Sequence, residues 1–405
     1  MSDATTQAPR VAYLDHAATT PVYPEVIAAV ADQLSRLGNA SSLHGSGRAA
    51  RRVVEESRET IAAAVNARPS EVVFTSGGTE SDNLATKGLF WARHKDDARR
   101  ARVLSTAVEH HAVLDSLHWL GAEAGAEVEL LPVDREGRLV VEALRESLER
   151  DPESVALVTV MLANNEVGTL QPLDAVVEIA APYGIPVHTD AVQVMGQLPL
   201  DFAASGVDAM TVTGHKIGGP LGVGALLLRR EVDLVALMHG GGQERDVRSG
   251  TIDGPAIVGL AVAAELAVKG QPERAPFLTA LRDDLVRRVL HVVPDAELNG
   301  GVGDGRLPGN VHFSFPGCEG DSLLMLLDAQ GIECSTGSAC SAGVPQASHV
   351  LLAMGRDDAT ARGSLRFSLG HTSTQEDVDR VVQAIAPAVE RARAAGVTGA
   401  SGGRT

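Results

Sequence analysis

At 405 residues the chain is longer than one hydrophobic core usually fills, so a larger and a smaller domain are expected. Its 44% apolar and 21% charged residues are those of a globular protein, and a formal charge of −17, from 35 basic and 52 acidic residues, argues against a tight grip on nucleic acid or on an anionic membrane. Small molecules and proteins remain as partners. Residues 1–9 lack the basic and apolar regions of a signal peptide, and no apolar run reaches about 18 residues, so a cytoplasmic protein is expected. Cys318, Cys334 and Cys340 are too few for a disulfide framework and read as thiols.

Residues 1–9 and 395–405 read as ends outside the fold. An extended piece at 11–14 precedes a helix from about residue 23, with Val26, Ile27, Val30 and Leu34 at helical spacing, and then a helix over 47–65. From there strands alternate with helices: strands over 71–75, 102–105, 126–131, 155–161 and 185–188, helices over 80–93, 111–124, 140–149 and 173–183. Two further apolar runs flank Lys216. This alternation predicts an α/β fold with a mostly parallel sheet between helices, in which ligands sit beyond the carboxyl ends of the strands. After about residue 260 the order changes. Helices over 261–267 and 277–292, a strand over 310–315, a helix over 320–330, strands over 332–334 and 364–368 and a closing helix over 375–394 predict a smaller α+β unit. The expected division is a large domain over 19–260 and a small domain built from 1–18 and 261–405.

Polar residues collect at the predicted strand ends. Ser76-Gly77-Gly78-Thr79-Glu80 opens directly into a helix, offering free N–H groups, a hydroxyl and a positive helix end that suit a phosphate, although an ordinary helix cap has the same composition. His188-Thr189-Asp190, with Gln193 one turn on, presents an acid that either caps a helix or faces a cofactor nitrogen, as in pyridoxal phosphate enzymes. Lys216, after Thr213-Gly214-His215, is either a satisfied ion pair or an amine whose lowered pKa serves Schiff-base and proton chemistry. Asp190 and Lys216 each follow an apolar strand and so project to one sheet edge. Of His110 and His111, one has the position to stack on a flat cofactor; sequence physics does not choose between them. Asn164-Asn165-Glu166 presents amides at the same edge.

Taken in order, Tyr13-Leu14-Asp15-His16-Ala17-Ala18-Thr19-Thr20-Pro21, the Ser76 to Asn83 turn, Glu109-His110-His111-Ala112, Asn164-Asn165-Glu166-Val167-Gly168, Asp190-Ala191-Val192-Gln193, Gly214-His215-Lys216, Arg248-Ser249-Gly250-Thr251, Gly337-Ser338-Ala339-Cys340 and Leu365-Arg366-Phe367 resemble the motif series of the cysteine desulfurases. The resemblance implies the fold-type I architecture of pyridoxal phosphate enzymes, with a mostly parallel seven-stranded sheet sandwiched by helices and a smaller α+β domain. It implies pyridoxal 5'-phosphate as cofactor, Lys216 as its Schiff-base lysine, Asp190 against the ring nitrogen, Gln193 on the ring hydroxyl and His110 stacked on the ring as acid–base. Gly78, Thr79, Thr213 and His215 match the phosphate cup, and Thr251 the residue reaching the phosphate of a neighbouring subunit in a homodimer. Asn165 and Arg366 match the substrate-carboxylate clamp, with Asn39 a weaker candidate for that pocket. Threonine at 213 departs from the more frequent serine but keeps the hydroxyl.

Cys318, in a turn before a helix, and Cys334, at the end of an apolar run, read as structural. Cys340 lies among small residues from Ser335 to Gly343 that no packed element would choose, which fits a loop able to carry a nucleophile. The resemblance, to the long-loop branch of the family, makes Cys340 the persulfide-forming residue. L-cysteine would lose its sulfur to Cys340 and leave as L-alanine, and a protein acceptor such as an iron–sulfur scaffold or a tRNA-thiolation enzyme would take the sulfur. Competing readings are a selenocysteine lyase, another class V lyase or aminotransferase, and a sulfur-delivery scaffold without catalysis.

Overall fold

Seven short runs of four or five residues pair into one sheet in the order Val72–Thr75, Gly224–Leu228, Ala209–Thr213, Val187–Asp190, Val155–Thr159, Arg102–Thr106, Glu127–Leu131. The computed structural model in which they are seen describes residues 10–337 and 347–401, with side chains described to residue 394. Gly224–Leu228 alone runs antiparallel to its neighbours, because a tight glycine-rich turn rather than a crossover helix joins it to Ala209–Thr213. The other strands of the sheet run parallel. Apart from the edge strand Glu127–Leu131, the strands are buried along their whole length because helices cover both faces. The period-2 pleat divides them: Val72 and Phe74 join one apolar cluster and Val73 the other, as do Ala225 and Leu227 against Leu226 and Leu228. The parallel strand expected over 185–188 lies two residues later, so that Asp190 is its last residue and the sheet itself fixes the acid's backbone.

A second core packs against a three-stranded antiparallel sheet of Ser364–Ser368, Asn310–Ser314 and Glu297–Leu298, and against Ala12–Tyr13 paired in parallel with Ile332–Glu333. The extended N-terminal piece therefore closes onto a strand more than 300 residues away in sequence.

The two helices expected over 261–267 and 277–292 are one helix, Gly254–Val292. Pro272 and Pro276 lie inside it. An internal proline costs about 3 kcal/mol. Here Ala256, Ile257, Leu260 and Ala264 bury into the large core while Leu278, Leu281, Leu285 and Val289 bury into the smaller one, and that packing at both ends offsets the local penalty. Asp253 caps its start by accepting the amide of Ala256 at 3.1 Å. Among the described residues, no helix is long and apolar enough to cross a membrane.

Candidate active site

At the carboxyl ends of the parallel strands lies a cleft of about 230 Å³. Gly78, Thr79, His110, Asn165, Asp190, Gln193, Thr213, His215 and Lys216 all line it, with Asp82, Met161 and Val192. Residues spread over 139 positions, from 78 to 216, meet here because each stands at or just beyond a strand end.

One wall is the start of the helix Gly78–Asp96. Its cap residue Gly77 has φ 147°, a conformation side-chain-bearing residues rarely adopt, and gives no side-chain cap, so the first amides of the helix keep their donors. A Cβ on Gly78 would stand 3.1 Å from Val192 Cγ2, closer than ordinary contact. Glycine here lets backbone amides approach the cleft.

The floor carries charge. Asp190 is buried, and its Oδ1 accepts the amide of Val192 at 2.8 Å. Burial pushes its carboxyl up to about 6, against the pull of that amide and of Lys216. Lys216 donates from Nζ to the carbonyls of Ala17 and, at 2.8 Å, Ala18. Desolvation first, then the Arg366 guanidinium, lowers its ammonium to about 8. His110 accepts the amide of Ala112 on Nδ1 at 3.1 Å and so caps its own helix, leaving Nε2 as the protonated nitrogen of the neutral ring. Desolvation, then Lys216, holds that imidazole near 4. His111 instead faces Asp115 and the ring of His349, 4.9 Å between centroids, so the two adjacent histidines part company at the helix start. His215 is lowered to about 4 by desolvation and by Lys216 beside it. Gln193 donates to the carbonyl of Ala17 at 3.0 Å.

Comparison with known proteins bears directly on this cleft. The family model described as aminotransferase class-V matches residues 12–381. The chain is 59% identical to an IscS-like cysteine desulfurase of Mycobacterium tuberculosis strain H37Rv over 97% of its own length and 100% of that protein. It is 42% identical to the cysteine desulfurase IscS of Dictyoglomus turgidum over 95% of its length and 96% of that protein. A solved NifS-like protein superposes with a TM-score of 0.86 at 35% identity, covering 94% of this chain and 100% of that one.

The chain belongs to the class-V aminotransferase family, on its cysteine desulfurase branch. The fold-type I architecture expected from sequence is the one observed. Within this desulfurase-branch chain, three of the expected residues that the structure describes stand apart from the cleft lining. Arg366 is buried on the strand Ser364–Ser368; its Nη2 donates to Asp15 at 2.7 Å and its Nη1 to the carbonyl of Asn165 at 2.9 Å. Asn39 is exposed and accepts the amide of Ser41 at 2.9 Å, closing its own turn, away from the cleft of this subunit. Thr251 is exposed and also lies off that cleft. Cys340 lies outside the described residues. Cys318 and Cys334 are both buried, and burial pushes the Cys334 thiol up to about 12, the environment of an inert cysteine.

The site also holds acids to which the sequence reading assigned no role. Asp82, one turn into the helix that starts at Gly78, is 1% exposed, has Oδ1 without a hydrogen-bond partner, and stands 3.7 Å from Nε2 of buried His188. Burial, then Asp190, raises its carboxyl well above the usual range. Glu109 is fully buried and accepts Thr106 Oγ1 at 2.7 Å and the Met161 amide at 2.9 Å. The sequence signal for them is an acid one turn into a cleft-facing helix, for Asp82, and one three residues past the strand Arg102–Thr106, for Glu109.

Proposed function

We propose that this cysteine desulfurase works with pyridoxal 5'-phosphate, takes the sulfur of L-cysteine onto Cys340 as a persulfide and releases L-alanine. The observation carrying this reading is that a lowered lysine, a buried aspartate and an uncapped helix start line one cleft: Lys216, Asp190 and Gly78. That donor set suits the cofactor, with free amides for a phosphate, an anion for a ring nitrogen and an amine for a carbonyl carbon. The partnerless buried Oδ1 of Asp82 marks the same floor as built for a polar guest. When bound, the cofactor supplies an electron sink for bonds at the amino acid's α-carbon.

The residues then divide the work. Gly78, Thr79, Thr213 and His215 would hold the phosphate, Asp190 the ring nitrogen, Gln193 the ring hydroxyl, and His110 the ring face. Lys216 would anchor the cofactor and move the α-proton, its amine available near neutral pH because desolvation has lowered it. Neutral His110, with its Nε2 proton, would serve the substrate sulfur. Arg366 and Asn165 would hold the substrate carboxylate, with Asn39 at its margin, and Cys340 would take the sulfur and pass it to a protein acceptor for iron–sulfur assembly or tRNA thiolation. The exposed Thr251 supports a homodimer in which it reaches the neighbouring phosphate. Residues 19–260 and the remainder are read as large and small domains, a division supported by the two separate apolar cores.

The test is the Cys340→Ala variant, assayed beside the wild type with L-cysteine. It is expected to keep bound cofactor, with its visible absorption, and to lose alanine and persulfide formation. Normal turnover by the variant would remove Cys340 from the mechanism, and a wild type that makes no alanine from L-cysteine would remove the activity.

A further inference from the structure

Arg366 and Lys216 are both gripped by one short stretch of chain, residues 15–18, that carries no assigned role. Asp15 Oδ1 receives Nη2 of Arg366 at 2.7 Å, and two and three residues later the carbonyls of Ala17 and Ala18 receive Nζ of Lys216. Among the described residues Asp15 is the one carboxylate ion-paired with Arg366. The pair is shielded, with side-chain exposures of 5% for Arg366 and 22% for Asp15, so solvent screens it less than a surface bridge. Asp15 is itself pinned. Its backbone bridges Ser368, two residues along the strand from Arg366, and its carbonyl accepts the Tyr13 hydroxyl at 3.1 Å, which also reaches Thr19 at 2.7 Å.

The grip on Arg366 is incomplete in an informative way. Nη1 is used by the Asn165 carbonyl and Nη2 by a single oxygen of Asp15, while Nε is buried with no partner. A guanidinium is a planar fork whose paired N–H groups match a carboxylate two at a time. Asp15 and the Asn165 carbonyl between them fix the plane of that fork without exhausting its donors.

We infer that Asp15 is a positioning residue for substrate: it aims the Arg366 guanidinium at the carboxylate of an α-amino acid, and the backbone it shares with Ala17 and Ala18 sets the spacing between that carboxylate and the amine that reacts at Lys216. The specificity that follows is for a free α-carboxylate next to an α-amine. This inference rests on the reading of Arg366 as the carboxylate grip.

The test uses the holoenzyme and two unreactive ligands, L-alanine and L-alaninamide, which differ in the carboxylate, with binding followed by the change in cofactor absorption. Asp15→Asn keeps the shape and removes the charge. It is expected to weaken L-alanine about tenfold, leave L-alaninamide within about twofold, and raise KM for L-cysteine with kcat little changed. Asp15→Ser, made in parallel with cofactor content and melting temperature checked, keeps the measurement decisive if one variant folds poorly. Equal loss of both ligands would assign Asp15 to the fold alone, and undiminished L-alanine binding would show that Arg366 needs no such partner; either overturns the inference. An Arg366→Lys variant that binds L-alanine as tightly as the wild type would instead bring down the reading of Arg366 it rests on.

Discussion

The side-chain amine of Lys216 donates to the backbone carbonyl of Ala18 at 2.8 Å, across 198 residues of sequence. Neutral acceptors hold the ammonium without the charge compensation a carboxylate contact would give, and burial then lowers it to about 8. The lysine is thereby kept in position and close to its reactive form.

The first expectation follows from that lowered value. Capture of pyridoxal phosphate by the apoprotein requires the neutral amine, so its rate should rise with pH and level off above about 8. Stopped-flow absorbance across this range checks it. A rate still climbing toward the ordinary lysine value of 10.5 would show that the amine is not desolvated.

Glu109 gives the opposite sign in stability. Burial pushes its carboxyl from 4.5 up to about 8, so between those values the folded apoprotein holds a proton that the unfolded chain has released. Its contribution is full below the unfolded value and is lost as pH rises through the folded one. Glu109→Gln, which keeps an acceptor for the Met161 amide, should flatten the fall in stability from pH about 5 to about 8. Urea denaturation of the apoprotein at several pH values reads the slope directly, and an unchanged slope would place the titration elsewhere.

The Arg58 guanidinium meets the Glu244 carboxylate through two bonds of 2.7 and 2.8 Å, both residues being under 10% exposed. Glu244 also accepts the Phe74 amide at 2.8 Å, and it opens a run, Glu244 to Asp246, with φ between 48° and 62° that non-glycine residues seldom adopt. Glu244→Ala would leave the buried guanidinium with the half-exposed Glu55, 3.2 Å from its Nε, as its acidic partner, and should cost about 3 kcal/mol. The double variant Arg58→Met with Glu244→Leu should recover much of that loss, and calorimetry on both separates the pair's own worth from the penalty of breaking it.

Gly370 stands where no side chain fits: a Cβ would lie 2.1 Å from Nδ1 of His16. His16 is buried and bridges Thr20 at 3.3 Å and Thr372 at 3.2 Å, one residue past Asp15. Gly370→Ala should therefore lower stability by about 1–3 kcal/mol, the usual cost of overpacking. Adding His16→Ala should restore part of it; two losses that simply add would mean the residues do not compete for one space.

Much of the site was legible from sequence because its rules are local. Lys216, Asp190, His110 and Gly78 each stand where a strand ends or a helix begins, and in an alternating α/β chain those positions converge on one edge whatever the details of packing. Helix boundaries were less legible where local and tertiary preferences conflict. Pro272 and Pro276 signal a break, and the helix Gly254–Val292 passes through them because both of its ends are held by buried faces.

Sequence by itself determined the sheet, its ligand edge and the residue types that suit a phosphate, a ring and an amine, since strand period, glycine turns and helix starts act over a few residues. Tertiary structure alone decided that Asp15 meets Arg366, 351 positions away, that Lys216 rests on Ala17 and Ala18, and that Asp82 and Glu109 are acids without solvent. Those facts depend on which surfaces bury which, and burial sets both the partner and the proton affinity of a charged group; no local pattern of residues encodes either.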